Sequence, residues 1–383
     1  MKINSLSLTN FRNYNKTQIN LSPSINIFIG NNAAGKTNIL ESIHTLALAR
    51  SYKAKDKDII MNGAPFYKIE AEVAYFNRDE ILTLIATPDG KKTIADGVEI
   101  KKLSDFIGRL NVVVFSPDDI LMLKNGPQEK RKLLDMSLLQ VSKSYVDDYT
   151  AFKKQLKFRN DYLKYAQQKY AEQEEISDDM LDVATMNFID CNKKIYEKRV
   201  KFIADLEEIT NEKYRSLSGE AAQIKFEYII NFENDIEFYK KRYSQDISYG
   251  STQAGCHRDD IRFLKNGQDF ETSCSQGEQR MLSLSLKLAL AEILKRLKRE
   301  TPVVLLDDVF SELDKNHQNR LLVMLDRSMQ IIITTTDLEK IGKMALENAK
   351  SFMINHAAIK EIQRHEWRKT NEITWRINVW GNR

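Results

Sequence analysis

The chain has 383 residues, of which 29% are charged, with a formal net charge of +4 and three cysteines. That length suits two or three domains, or one large domain carrying an insertion. Cys191, Cys256 and Cys274 show neither close pairing nor metal-ligand spacing, which excludes a disulfide framework and reads as free thiols in a reducing compartment. The mild basicity permits a nucleic-acid partner without requiring one. Met1-Lys2-Ile3-Asn4-Ser5 opens no apolar run of signal-peptide length, and no stretch approaches a membrane span. The expectation is a soluble, cytoplasmic protein with no membrane contact.

The first thirty residues alternate, with Ile3, Leu6 and Leu8, then Ile19 and Leu21, then Ile25-Asn26-Ile27-Phe28-Ile29. Short strands are predicted there. In the turn Thr9–Tyr14, Arg12 is either a solvated loop cation or a phosphate contact brought near the following loop by the strand order. That loop is Gly30-Asn31-Asn32-Ala33-Ala34-Gly35-Lys36-Thr37, which fits G-x-x-x-x-G-K-[ST] at every fixed position. Residues 38–49 then place apolar side chains at helical spacing. Strand, glycine loop and helix together form an anion cradle. The glycines let successive N–H groups point into one concavity, and the helix start adds positive potential. Lys36 can reach the outer phosphates of a nucleotide, and the Thr37 hydroxyl can hold Mg²⁺.

Residues 49–55 are basic with one aromatic, as phosphate contacts or a plain solvated loop would be. Residues 66–115 alternate with period two between turn signals such as Pro88-Asp89-Gly90. They predict an antiparallel sheet ending in Val112-Val113-Val114-Phe115. From Ser116-Pro117-Asp118 to about residue 245 the pattern is mostly helical. One helix is expected over about 128–171 and another over about 179–215, an antiparallel pair around the acidic turn Glu172–Glu175. The basic residues Lys153, Lys154, Lys157, Arg159 and Lys164 read as a solvated helix face.

Ser275-Gln276-Gly277-Glu278-Gln279 leads into a helix expected over about 280–299. Gly277 lets a phosphate approach the backbone and Ser275 can donate its hydroxyl to it; a plain helix cap would read the same way. Val303-Val304-Leu305-Leu306 is an apolar run of the kind buried on both faces of a parallel sheet. It ends in Asp307-Asp308, a Walker B arrangement in which Asp307 can hold Mg²⁺. Ser311-Glu312-Leu313-Asp314, a helix to about Leu325, and a second buried strand at Ile331-Ile332-Ile333 follow.

In this order, these pieces resemble the ABC-ATPase heads of SMC-like DNA-repair proteins, most of all the bacterial recombination mediators among them. The resemblance covers nearly the whole chain. It includes the Asn10–Tyr14 turn, the Pro117–Asp135 segment, the Gly255–Asp260 approach to a strand and the Asp307–Leu321 segment. Cys256 stands where the family has Pro. The tail Trp367–Arg383 fits nothing in the pattern and is read as a lineage-specific extension.

The resemblance implies an α/β fold: an ABC-type P-loop head with a mixed or parallel sheet plus an antiparallel sheet. An inserted helical lobe would bear a short antiparallel arm. Lobe I would comprise 1–115 and 246–383, and lobe II 116–245. It implies ATP and Mg²⁺ as cofactors. Nucleotide contacts would come from Gly30, Asn31, Asn32, Ala33, Ala34, Gly35, Lys36 and Thr37, with Arg12, Gly277 and Asp314. Thr37 and Asp307 would hold the metal, and Lys36, Asp308 and Ser275 would serve catalysis. Asp308 stands where most such ATPases have Glu, about 1.5 Å longer in reach, so slow hydrolysis is expected. Partners implied are double-stranded DNA and gap or single-strand junctions, a second copy of the chain in the presence of ATP, RecR and RecO, and indirectly RecA. The setting would be bacterial DNA replication, damage repair and the SOS response, in the cytoplasm at the nucleoid. The readings that compete are an ATP-gated scaffold without necessary hydrolysis and the soluble ATPase subunit of a transporter. An arm of this length cannot supply the heptads of a long SMC protein.

Overall fold

The structure, a computed structural model, describes residues 1–119, 123, 126–173, 177–338, 341, 346 and 349–363. The Trp367–Arg383 tail, Glu174 and Glu175 of the acidic turn, and part of the segment following Pro117 lie outside these residues. The chain divides into two compact units, one of Met1–Pro117 with the chain from Leu294 on, the other Asp118–Ile293. The pentapeptide 275–279, at the place of the ABC signature, therefore falls in the second unit, as does all of 246–293, which the resemblance grouped with the P-loop.

The first unit holds two sheets. β1 (Lys2–Phe11), β2 (Tyr14–Asn20), β4 (Tyr67–Ala74), β5 (Asp79–Ala86), β6 (Lys91–Ala95) and β7 (Val98–Ile100) form an antiparallel sheet in the order β2-β1-β4-β5-β6-β7. Its alternation is visible in β4, where every second residue is buried. The other sheet has the order β15-β14-β3-β13-β12-β8. It is built from β3 (Ile25–Ile29), β8 (Val112–Phe115), β12 (Val303–Asp307), β13 (Ile331–Thr335), β14 (Ala349–Asn355) and β15 (Ala358–Ile362). All its pairings are parallel except the β14–β15 hairpin. β12 and β13 are buried at every position, as continuous apolar runs in a two-face-covered sheet should be.

One correction follows. Val112–Phe115 does not end the antiparallel sheet; it pairs parallel with β12. The helix α1 (Lys36–Leu48) follows β3, and its Ile39, Leu40, Ile43 and Leu46 share one core with Leu6, Leu8 and Phe11 of β1 and with Leu305 and Ile332 of the parallel sheet.

The second unit is mainly helical. α2 (Pro127–Val141) and α3 (Lys143–Ala171) replace the single helix expected over 128–171, because Ser142 caps α3 by accepting from Tyr145 N–H. α4 (Asp179–Ser218) returns alongside α3 and ends at Gly219, which has positive φ. Phe152 of α3 and Phe188 of α4 lie 5.7 Å apart between ring centroids. Residues 116–245 are not wholly helical: β9 (Ile224–Ile229) pairs antiparallel with β10 (Asp260–Lys265). α5 (Gln276–Lys298) carries the signature at its start, and α6 (Lys315–Met324) follows β12 in the first unit.

Arg159 departs from the solvated face assigned to it. It is fully buried, ion-paired with Asp246 at 2.8 Å and hydrogen-bonded to Thr185 and Thr252. The rings of Phe188, Tyr239 and Tyr243 surround it at 5.5–6.0 Å. Lys153, Lys154, Lys157 and Lys164 are exposed, as expected.

Candidate nucleotide site

The loop between β3 and α1 is shaped by two glycines. A side chain at Gly30 would run into the carbonyl oxygen of Ile354. Gly35 has φ +110°, and a Cβ there would lie 2.7 Å from Asn13 Nδ2 and 2.9 Å from the Tyr14 hydroxyl. Both approaches are close enough that only glycine fits without displacement. Gly35 is also the N-cap of α1, and no side chain caps that helix. An uncapped helix start preceded by Ala33 at φ 63° is a seat for an anion.

Lys36 is folded back over this loop and donates to the carbonyl oxygens of Gly30 and Asn31, both at 2.8 Å. Burial pushes its ammonium down from the usual lysine range, while the charges of Asp308 and Asp307 pull it back up. The Asn10–Tyr14 turn sits against the loop, as the strand order implied. The Tyr14 hydroxyl donates to Gly35 O at 3.1 Å, and Asn38 Nδ2 donates to Asn13 Oδ1 at 2.8 Å.

Arg12 is not a solvated cation. Its Nε and Nη2 make a bidentate pair with Glu41 at 2.9 and 2.8 Å, and Nη1 donates to Asp58 O at 3.0 Å. Glu41 is buried, so this pair anchors the turn to α1.

Thr37 and Asp307 are 270 residues apart and meet at 2.8 Å, the hydroxyl donating to Asp307 Oδ1. Two further groups that sequence reasoning missed join them. Thr334 Oγ1 donates to the same Oδ1 at 2.8 Å, and Lys53 Nζ lies 3.4 Å from Oδ2. The signal for Thr334 was the parallel alignment of β12 with β13, which places it opposite Asp307. Lys53 lay in the basic stretch 49–55, with no indication of which carboxylate it would meet.

Asp308 follows in the left-handed region at φ 52°, its N–H held by Thr334 O and Oγ1 at 3.2 and 3.0 Å. Thr335 is turned away, donating to Asp337 O at 2.8 Å. Asp314 caps α6, accepting from the N–H groups of Asn316 and His317 at 2.9 and 3.0 Å.

In the second unit, Ser275, Gln276 and Gly277 are exposed at the start of α5. The space above Gly277 is open, its nearest neighbour being the Ser275 hydroxyl at 3.9 Å.

The donor set suits Mg²⁺. Among the described residues no three acidic, His or Cys side chains gather as a closed metal cage. A hydroxyl beside one carboxylate, at the foot of an uncapped P-loop helix, is the partial set that Mg²⁺ completes with phosphate oxygens and water.

Comparison with known proteins matches these features to one family. The model of the RecF/RecN/SMC N-terminal domain matches residues 2–360. The DNA replication and repair protein RecF of Staphylococcus aureus (strain JH9) is 38% identical over 372 residues, spanning 94% of this chain and 100% of that one. Among solved structures, the recombination mediator protein RecF-ATP in the RecFOR pathway superposes with a TM-score of 0.83 at 28% identity, covering 94% of this chain and 98% of that chain. The Smc head bound to the C-winged helix domain of ScpA gives a TM-score of 0.52 at 16% identity over 94% and 98% of the two chains, a likeness of fold.

Proposed function

The chain belongs to the RecF/RecN/SMC N-terminal domain family of ABC-type ATPase heads, and on that premise we propose that it is an ATP-dependent DNA-binding protein of recombinational repair and replication restart. ATP held by the P-loop of one copy is met by the signature of a second, so that two copies close head to tail on duplex DNA at gaps. The closed pair then acts with RecR and RecO to help load RecA, and slow hydrolysis releases it. The observation that carries the nucleotide reading is the meeting of Thr37 with Asp307 beside the uncapped start of α1.

In this reading each residue has a task its position suits. The loop amides and Lys36 bind the phosphates, Lys36 leaving the carbonyls of Gly30 and Asn31 to do so. Thr37 and Asp307 hold Mg²⁺, which when bound neutralises phosphate charge and fixes its oxygens. Asp308 orients the attacking water from a short side chain, which makes turnover slow. Ser275 and Gly277 contact the γ-phosphate held by the other copy. Arg12 supports the site through Glu41, and with three of its five N–H donors engaged it keeps two for the nucleotide. Asp314 acts from the start of α6.

ATP stabilises the closed dimer because its γ-phosphate, held by Lys36 of one copy, is contacted across the interface by the other copy only in the closed state. DNA affinity then falls steeply with salt, with little sequence preference.

The test is sedimentation of the full chain with gapped duplex DNA, with and without Mg·ATP, beside Asp308→Asn. The reading expects a dimer on DNA only with ATP, and accumulation of that dimer in the variant. A protein that stays monomeric and ignores DNA in all four conditions overturns it.

A further inference from the structure

The helix start that the signature offers to a phosphate is already occupied by an anion of the chain's own. Ser275 and Glu278 form a reciprocal cap. Ser275 N–H donates to Glu278 Oε2 at 2.8 Å, the Ser275 hydroxyl donates to the same oxygen at 2.7 Å, and Glu278 N–H donates back to Ser275 Oγ at 3.3 Å. A serine hydroxyl has one proton, and here Glu278 has it. A phosphate oxygen arriving at Ser275 must take that proton, and the amide hydrogen, from a carboxylate that remains about 3 Å away.

That carboxylate is charged. Hydrogen bonds from Lys265 and Ser275 hold Glu278 down at about 2. Two anions at one helix start repel unless a cation stands between them. Lys265 is that cation. It pairs with Glu278 Oε1 at 2.5 Å and with Glu220 at 2.6 Å, and lies 5.8 Å from the centre of the Tyr214 ring. Its side chain is 15% exposed.

We propose that Glu278 is a built-in brake on closure, competing with the γ-phosphate of a second copy for the hydroxyl and amide hydrogens of Ser275, and that Lys265 sets its strength by neutralising it. This rests on the head-to-tail reading above. The chain thereby requires a high local concentration of ATP-loaded copies, such as DNA provides, before it closes. Glu278 and Lys265 are positioning residues; neither binds the chain's own nucleotide.

The experiment is sedimentation velocity of the full chain across a Mg·ATP titration, for wild type, Glu278→Gln, Lys265→Met and the double variant. Gln at this position still caps the helix, so the fold is kept. Binding of a fluorescent ATP analogue to the monomer is expected to be unchanged in every variant, while Lys265→Met, which leaves Glu220 and Glu278 without their shared cation, is expected to melt somewhat lower without nucleotide. Glu278→Gln should dimerise at an ATP concentration lower by on the order of tenfold, and Lys265→Met at one higher by a similar factor. In the double variant the Lys265 effect should vanish, because the charge it neutralised has gone. If wild type dimerises and Glu278→Gln is no tighter, or if Lys265→Met weakens closure equally in both backgrounds, the brake is wrong and the dimer reading stands. If wild type stays monomeric while Glu278→Gln dimerises, the brake is supported in its strongest form. If every variant stays monomeric at saturating ATP, the head-to-tail reading falls and the brake with it.

Discussion

Lys53 makes the nucleotide site testable without measuring turnover. Its ammonium lies 3.4 Å from Asp307 Oδ2, on the carboxylate assigned to the metal. At an effective dielectric of about 20, Coulomb attraction at that distance is about 5 kcal/mol. The Lys53 side chain is 32% exposed and long, so screening and lost rotamer freedom reduce the net pair to about 1 kcal/mol. A cation entering at Asp307 must displace this partner. Lys53→Met removes the competitor and leaves Asp307 held by the hydroxyls of Thr37 and Thr334. The Mg²⁺ concentration needed for half-maximal binding of a fluorescent ATP analogue should fall about fivefold, the equivalent of about 1 kcal/mol. The same titration in EDTA separates a second effect. If Lys53 touches only Asp307, metal-free nucleotide affinity stays within about twofold. A Mg²⁺ midpoint that is unchanged or higher in the variant refutes the competition, and a large loss in EDTA shows that Lys53 serves the phosphates instead.

Arg199 is buried between Asp135 and Asp259, at 2.6 and 2.7 Å, and also donates to Cys256 O. Arg199→Met leaves both buried carboxylates without their cation, with the hydroxyls of Tyr145 and Tyr228 still donating to them, and should cost about 3–5 kcal/mol, read as a lowered urea midpoint; a loss under about 1 kcal/mol refutes the anchoring role. His257 donates through Nε2 to Thr252 O at 2.9 Å, and burial holds it down at about 4, from an ordinary 6.5. A depressed histidine contributes stability that is present above about 6.5 and is lost as pH falls through about 4, at most about 3 kcal/mol here. Burial also pushes Asp259 up to about 6, and that group titrates in the opposite sense. The difference between the wild-type and His257→Gln stability curves should therefore rise from pH 4 to 6.5; a flat difference refutes the assignment. Gly35→Ala, at φ +110° with Asn13 2.7 Å from the new Cβ, should weaken ATP-analogue binding at least about tenfold. Gly277→Ala, whose Cβ meets nothing nearer than 3.9 Å, should leave monomer binding intact and impair only dimerisation.

Much of this fold was written in hydrophobic period, and the misses lie where period was present but outvoted. Ile224-Lys225-Phe226-Glu227-Tyr228-Ile229 alternates as cleanly as any strand in the chain, yet it lies beyond the helix expected over about 179–215, inside a charged stretch read as mostly helical to about residue 245. Val112–Phe115 is four apolar residues in a row, the mark of a strand covered on both faces, and so belonged with β12 rather than with the alternating strands before it. Arg159 carries the same lesson for side chains. It falls on the stripe Phe152, Leu156, Leu163, Ala166, and a charge on an apolar stripe is a buried charge with partners waiting.

The site was legible to a different depth at each residue. A P-loop pattern fixes backbone shape, so Gly30, Gly35 and Lys36 could be placed from spacing alone. Thr37 and Asp307 were marked by the motifs that carry them, although β13 lies between the strands that lead to them, β3 and β12. Thr334 needed the parallel pairing of β12 with β13, and Lys53 needed the third dimension, since lysines are common and nothing in its sequence surroundings marks a partner.

Ser275 is the instructive case, because both of its readings were open from sequence: a helix cap, or a phosphate contact. These are not alternatives. A cap exists to satisfy the orphan donors of a helix start, and a phosphate binds there by satisfying the same donors. On the proposed reading, Ser-x-x-Glu describes a site whose resting occupant is a carboxylate and whose working occupant is a phosphate. On the proposed head-to-tail reading, the exchange of one anion for the other becomes favourable only when a second copy presents its nucleotide. Replacing the resting occupant by an uncharged amide changes the midpoint of that exchange while leaving the cap in place, so the equilibrium between the two states can be moved without disturbing either one.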